Sequence, residues 1–207
     1  GIQVHSDEAI YNTDLTSAEA ENFARDFFVS GAMNFFIVPE YGGEEFGGAC
    51  VGGCLGDGEG ATIFIEKEKS ASGWAHEVGH YGGLMNTWGN NLELVDGSNC
   101  ATAGDFVCET PADADNSGCE VDAETCSVVS CATDANGDGY QPDVNNIMSY
   151  YPDACGDHLY QEQLDVVSCV MWTVHADHLR DTPASAIDPA PQTVTVGCDA
   201  ESLPNIQ

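Results

Sequence analysis

The stretch Gly73–Trp88, GWAHEVGHYGGLMNTW, decides how the rest of the chain is read. His76 and His80 are four residues apart, so on a helix both imidazoles share a face and can close on one metal ion. Glu77 lies beside them, where a carboxylate can take a proton from bound water. Gly82 and Gly83 end the helix, because glycine accepts the left-handed turn that redirects the chain. Three residues beyond Gly83 the redirected chain can return a side chain to the metal, and that side chain is Asn86. An amide oxygen is a neutral, weak donor to zinc and suits calcium better. Three readings of Asn86 stand: a weak third ligand, a vacancy filled by Tyr150 or a loop carboxylate, or an empty site. The alternative to any metal is a helix with two buried, hydrogen-bonded histidines.

Working outward, ATIFIEK (61–67) reads as a strand leading straight into this helix, and MNFFIVP (33–39) as a buried strand stopped by Pro39. GIQVHSDEAIYN alternates like a first strand. Thr16 and Glu19 form a capping box, and Ala20, Phe23, Ala24, Phe27 and Phe28 recur at helical spacing. That predicts an amphipathic helix over 16–31 with its aromatic stripe in the core. Residues 40–60 read as glycine-rich loop, and 89–146, rich in Gly, Asp, Asn and Cys, as loops pinned by disulfides. From Gln163 a second long helix is expected, with Leu164, Val167, Val170, Met171 and Val174 on one face. His175 and His178, on or beside it, read as surface or capping residues. A proline-rich link, DTPASAIDPAPQ, precedes a terminal strand, TVTVGC. The order predicts an α+β fold of two lobes.

A chain of 207 residues suits one domain, or two lobes around a cleft. No apolar run approaches the roughly 20 residues that span a bilayer, and the N-terminus reads as a mature or trimmed start. The net charge is −31, with 35 acidic residues against four basic ones, Arg25, Lys67, Lys69 and Arg180. Such a surface repels nucleic acid and anionic membranes. It fits a saline or divalent-rich medium, or an acidic secreted protein of no special habitat. Ten cysteines, an even number spread over loops, favour disulfides and an extracellular location. Cys50 and Cys54 have no further ligand pair at zinc-finger spacing, so a disulfide framework is expected in place of a cysteine metal clip.

Two further motifs follow in order, GDFVCETPAD (104–113) and NNIMSYYPDAC (145–155). With HEVGHYGGLMNTW they resemble the pappalysin branch of the metzincin zinc endopeptidases. That family's pattern is H-E-x-x-H-x-x-G-x-x-H, and here Asn86 stands at the last position. The resemblance runs from about Gly73 to Gln163, is weaker before that, and does not reach the C-terminal tail. It implies a two-lobed catalytic domain over 1–185, with a mixed sheet, an active-site helix, disulfide-rich loops and a C-terminal helix. The lobes would divide near 83/84, with 186–207 as link and terminal strand. It also implies zinc on His76 and His80, Glu77 as general base, Tyr150 supporting the oxyanion and Met148 as a non-ligating floor. Strand 61–67 would be the edge strand that pairs with an extended protein or peptide substrate. Asp153 would lie at the first primed-side pocket and favour a basic residue. The implied disulfides are Cys100–Cys126 and Cys119–Cys155, with Cys50–Cys54 and Cys169–Cys198 among the pairings open to the rest. Calcium is implied near Asp105 and Glu109.

Calcium has a second motif in DANGDGYQPDVN, where Asp134, Asn136 and Asp138 alternate before Gly139 like the first half of an EF-hand loop. Asn145 replaces the closing glutamate, and a hydrated Asp/Asn turn explains the same residues. A rival reading of the whole chain is an inactive extracellular structural or binding protein on this scaffold. In that case QTVTVGC would pair with the edge strand of a neighbouring copy.

Overall fold

The computed structural model describes residues 25–39, 48–51, 62–66 and 69–175, together with the single positions Glu19 and Asn22. The expected first strand, the Thr16 cap, His178, the proline-rich link and the terminal strand lie outside these residues.

The run TIFIE forms β3 (Thr62–Glu66), whose first four side chains are all buried. A continuous buried run of this kind belongs to a strand covered on both faces. β1 (Asn34–Val38) pairs with it in parallel, Asn34 opposite Thr62. β2 (Gly48–Val51) pairs antiparallel on the other side, Ala49 opposite Phe64. The sheet is mixed, as expected, in the order β1-β3-β2.

Four sequence expectations are corrected here. The strand at 61–67 is central, with a neighbour on each side, and among the described strands β1 and β2 are the outer ones. GACV is too short and too small-chained to show a period of two, so it read as loop. β1 buries Asn34 and Val38 but leaves Phe35 and Ile37 38% and 46% exposed, so it is only half covered. Glu19, Asn22 and Arg25–Phe27 are helical, yet Phe27 is 43% exposed and does not serve the core.

α1 (Ala71–Tyr81) begins at Ser70, whose hydroxyl accepts the Gly73 amide. It ends in a Schellman turn: Gly83 N–H bonds the His80 carbonyl and Leu84 N–H bonds the Gly79 carbonyl, both at 2.9 Å. Gly83 sits at φ +88°, where a Cβ is disfavoured, and that Cβ would lie 2.7 Å from Val170 Cγ2. Beneath the helix, Ile63, Ile65 and Tyr81 form a buried cluster with Trp74, Val78 and Met171.

The segment read as pinned loop contains a one-turn helix, α2 (Asp115–Gly118), and a hairpin of β4 (Cys119–Asp122) and β5 (Ser127–Cys131). The disulfides differ from the expected pairs. Cys100 is joined to Cys108, Cys119 to Cys131 and Cys126 to Cys155. The hairpin is the reason: its register sets Cys119 opposite Cys131, with Cα atoms 4.0 Å apart, which leaves Cys126 at the turn for Cys155. Cys50 and Cys169 are also disulfide-bonded, and the partners expected for them lie outside the described residues. A second buried cluster, Ala112, Cys119, Tyr140, Val144 and Tyr151, packs against this hairpin.

α3 (Gln161–Thr173) closes the described fold. Val170 is buried, Met171 joins the core cluster and Val167 packs on Gly82, as the stripe predicts, but at the helix start Leu164 is 45% exposed while Gln163 is fully buried. The reason is polar. The Gln163 carbonyl oxygen accepts the Asn146 side-chain amide at 2.8 Å and the Tyr160 backbone amide at 3.0 Å. Those bonds lock the helix start onto the turn that carries Met148.

Gly83→Ala should destabilise the protein by about 2 kcal/mol or more, from the left-handed backbone and the collision with Val170. At this chain length that lowers the melting temperature by roughly 4–8 °C, measurable by circular dichroism. Mass spectrometry of unreduced proteolytic peptides should recover the 100–108, 119–131 and 126–155 links.

Candidate metal centre

Both helix histidines are held from behind. His76 Nδ1 lies 2.7 Å from the Ile147 carbonyl, and His80 Nδ1 lies 2.7 Å from the Leu84 carbonyl. A carbonyl only accepts, so each Nδ1 carries the proton and each Nε2 keeps its lone pair facing away from the anchor. The ring centroids are 4.6 Å apart. Burial lowers the pKa of His76, and burial followed by the neighbouring His76 takes His80 down to about 4. Both imidazoles are therefore neutral at pH 7, the form that ligates a metal.

The Schellman turn returns Asn86 to this pair, and its amide reaches both imidazoles. Even so, Asn86 Oδ1, His76 Nε2 and Glu77 Oε2 are buried and make no satisfying hydrogen bond. Each such atom is expensive to bury unpaired, about 1–3 kcal/mol, and a cluster of them calls for a ligand. Two lone-pair imidazole nitrogens and an amide oxygen form a donor set that fits a divalent ion. Its affinity is lower than that of three histidines, because the amide is the weaker donor. Among the described residues no three His, Cys, Asp or Glu side chains converge on a metal position; the third candidate donor at this site is the amide.

Glu77 is 5% exposed, and burial pushes its carboxyl up to about 7, opposed by Lys69 and by a hydrogen bond from the Cys50 backbone. That value suits a group exchanging protons near neutrality. Met148 is fully buried with its sulfur against the underside of α1 at Gly79, one residue before His80. Tyr150 is half-exposed, its ring 5.6 Å from His76 and 4.4 Å from Trp88. Burial and the Glu77 charge raise its pKa.

Asp153 has a partner that the sequence did not reveal. Lys69 Nζ lies 2.9 Å from its Oδ2, and Ser70 Oγ donates to the same oxygen at 2.8 Å. The Lys69 stem crosses over Gly73, where a Cβ would fall 2.1 Å from Lys69 Cε. Asp153 is therefore paired within the chain and is not a lone anion awaiting a basic substrate residue. Four residues separate Lys69 from Gly73, and 84 separate it from Asp153; only the fold joins them.

The residues expected at calcium sites have other work. Asp134 Oδ1 accepts the Asn136 and Asp138 amides, and its Oδ2 accepts that of Val95. This is the hydrated-turn reading, with the carboxylate knitting backbone. Asp105 accepts from the Val107 amide and the Thr110 hydroxyl, and burial pushes its carboxyl up to about 7. Glu109 and Glu162 accept each other's backbone amides at 2.7 and 2.9 Å, joining this loop to α3. Calcium gains no support from these arrangements.

No family model matches the chain, and no curated protein is significantly similar to it in sequence. Among solved structures it is similar to mature mirolysin of Tannerella forsythia, determined in complex with a cleaved peptide, at 18% identity and a TM-score of 0.53. The match covers 81% of this chain and 66% of that one, a little under two thirds of its length. The chain thus has the α+β fold of a metalloprotease catalytic domain.

A pH-dependent clamp lies behind His76. His158 bonds Asp157 at 2.7 Å and Asp143 at 2.8 Å, and its carbonyl accepts the Ile147 amide. The Asp157 bond first, then Asp143, raise its pKa above 6.5. A raised histidine pKa gives stability that is complete below the unfolded value and is lost as pH rises through the folded one. His158→Gln should therefore lower the melting temperature more at pH 5.5 than at pH 8.5; an equal loss at both would contradict the clamp.

Proposed function

We propose that this chain is a metal-dependent endopeptidase, acting on extended protein or peptide segments outside the cell. The observation that carries the reading is the pair of unsatisfied buried atoms, His76 Nε2 and Asn86 Oδ1, beside two histidines anchored through Nδ1. The metalloprotease fold supports it. So do the absence of free cysteines, and of any membrane-spanning helix among the described residues. The catalytic unit would be the segment 1–185, with 186–207 appended to it.

His76, His80 and Asn86 would hold zinc, which supplies Lewis-acid polarisation of a scissile carbonyl and a water. Glu77 takes the proton of the attacking water and passes it to the leaving amine. The Tyr150 hydroxyl, on the exposed side of the same centre, donates to the oxyanion as it forms. Strand β2, outermost among the described strands and hydrogen-bonded to Glu77 through Cys50, offers the backbone against which an extended substrate would lie. The Lys69–Asp153 pair sits beside this path and neutralises the wall.

Zinc analysis after dialysis, together with cleavage of a quenched peptide library, tests the reading. Wild-type protein should bind zinc weakly and cleave slowly, and Glu77→Gln should abolish cleavage while retaining the metal. Asn86→His should tighten zinc on the order of 100-fold, as expected for one strong ligand among the few that make up such a site. Failure of both wild type and Asn86→His to take up zinc would leave the inactive-scaffold reading in its place.

A further inference from the structure

Asp113 belongs to a motif whose last residue has no role in the mechanism above. It is 1% exposed, and both carboxylate oxygens are used. Thr87 Oγ1 donates to Oδ2 at 2.5 Å, and Tyr151 OH donates to Oδ1 at 2.7 Å. Thr87 directly follows Asn86, and Tyr151 directly follows Tyr150. The same two segments are joined a second time by the Thr87 amide and the Met148 carbonyl, 3.1 Å apart.

We propose that Asp113 is a positioning residue of the metal centre, one buried carboxylate that fixes the arm carrying Asn86 against the turn carrying Tyr150. A planar carboxylate is the side chain suited to this task. It presents two acceptors at a fixed separation to two hydroxyl donors, and neither Thr87 nor Tyr151 has to turn to meet it. An isosteric asparagine keeps the volume but replaces one acceptor with a donor, so one of the two buried hydroxyls must turn. Asn86 feels this most. It is the weakest of the three donors and lies on a segment after the helix end, whereas His76 and His80 are held by α1 and by their carbonyl anchors. Outer supports of metal ligands typically change metal affinity 10- to 100-fold when removed.

The role rests on the metal-site reading, and cobalt(II) binding, followed by visible absorption well below the melting temperature, tests both. Wild-type protein should bind cobalt with a defined spectrum; if it does not, the metal reading fails and this role falls with it. Asp113→Asn should weaken binding about 10-fold or more and alter the spectrum, with the far-ultraviolet circular dichroism unchanged. Thr87→Val, which removes one hydroxyl and leaves the Tyr151 bond, should reproduce that loss even if Asp113→Asn folds poorly. In an Asn86→Ala background, Asp113→Asn should cause little further loss, because it acts through Asn86. A lower melting temperature with wild-type cobalt affinity and spectrum would make Asp113 a core residue only. An undiminished effect in the Asn86→Ala background would also overturn the proposal.

Discussion

The fold depends on how closely neighbouring side chains can approach the backbone along one side of α1 and at its C-terminal end. A Cβ on Gly79 would fall 2.4 Å from Met148 Sδ, on Gly82 2.9 Å from Val167, and on Gly83 2.7 Å from Val170. With hydrogen in those three places, the helix rests directly on the Met148 turn and on α3. The consequences run in one direction. The left-handed Gly83 closes the Schellman turn, which sets the Leu84 carbonyl behind His80 and sends Asn86 back toward the imidazoles. Met148, seated under Gly79, fixes the turn whose Ile147 carbonyl holds His76. Both histidine anchors therefore derive from the same close contact.

Electrostatics make the second layer. Nearly all of the chain's charge is acidic, yet the buried carboxylates are not left to repel one another. Glu77, Glu93 and Asp105 are each pushed up to about 7, chiefly by burial. Near neutrality such groups are partly protonated and carry less than their full charge. Lys69, one of the few cations, is placed beside the helix start, where it pairs with Asp153 and offsets the burial of Glu77.

The chemistry rests on lone pairs whose direction is set by groups outside the centre. Neutral imidazoles with protonated Nδ1 atoms are already in the form that ligates a metal, so little reorganisation would accompany binding. Asn86 is different in kind: its donor strength is low, and its position depends on a turn and on the Thr87–Asp113–Tyr151 bridge. The site thus combines two firmly held strong donors with one weak donor held indirectly. On the proposed reading, metal retention would be most sensitive at Asn86.

Much of this was legible in the sequence, for a physical reason: the helix period is local. Two histidines four apart, a glutamate between them and two glycines after them define a shared imidazole face and a turn without knowledge of anything distant. The α+β order and the Met148 turn were readable in the same way, from contiguous residues. Tertiary structure decided what depended on partners far along the chain. The short β2, with no period of its own, exists because β3 offers it an edge. The cysteine pairs follow from the register of a hairpin too small to announce itself. Gln163 displaced Leu164 from the core because Asn146 needed a partner, and Asp153 lost its expected freedom to Lys69. Asp113 is one acid among 35 in the sequence; only the folded chain brings Thr87 and Tyr151 to its two oxygens, since a hydrogen bond is set by distance in space and a sequence records only distance along the chain.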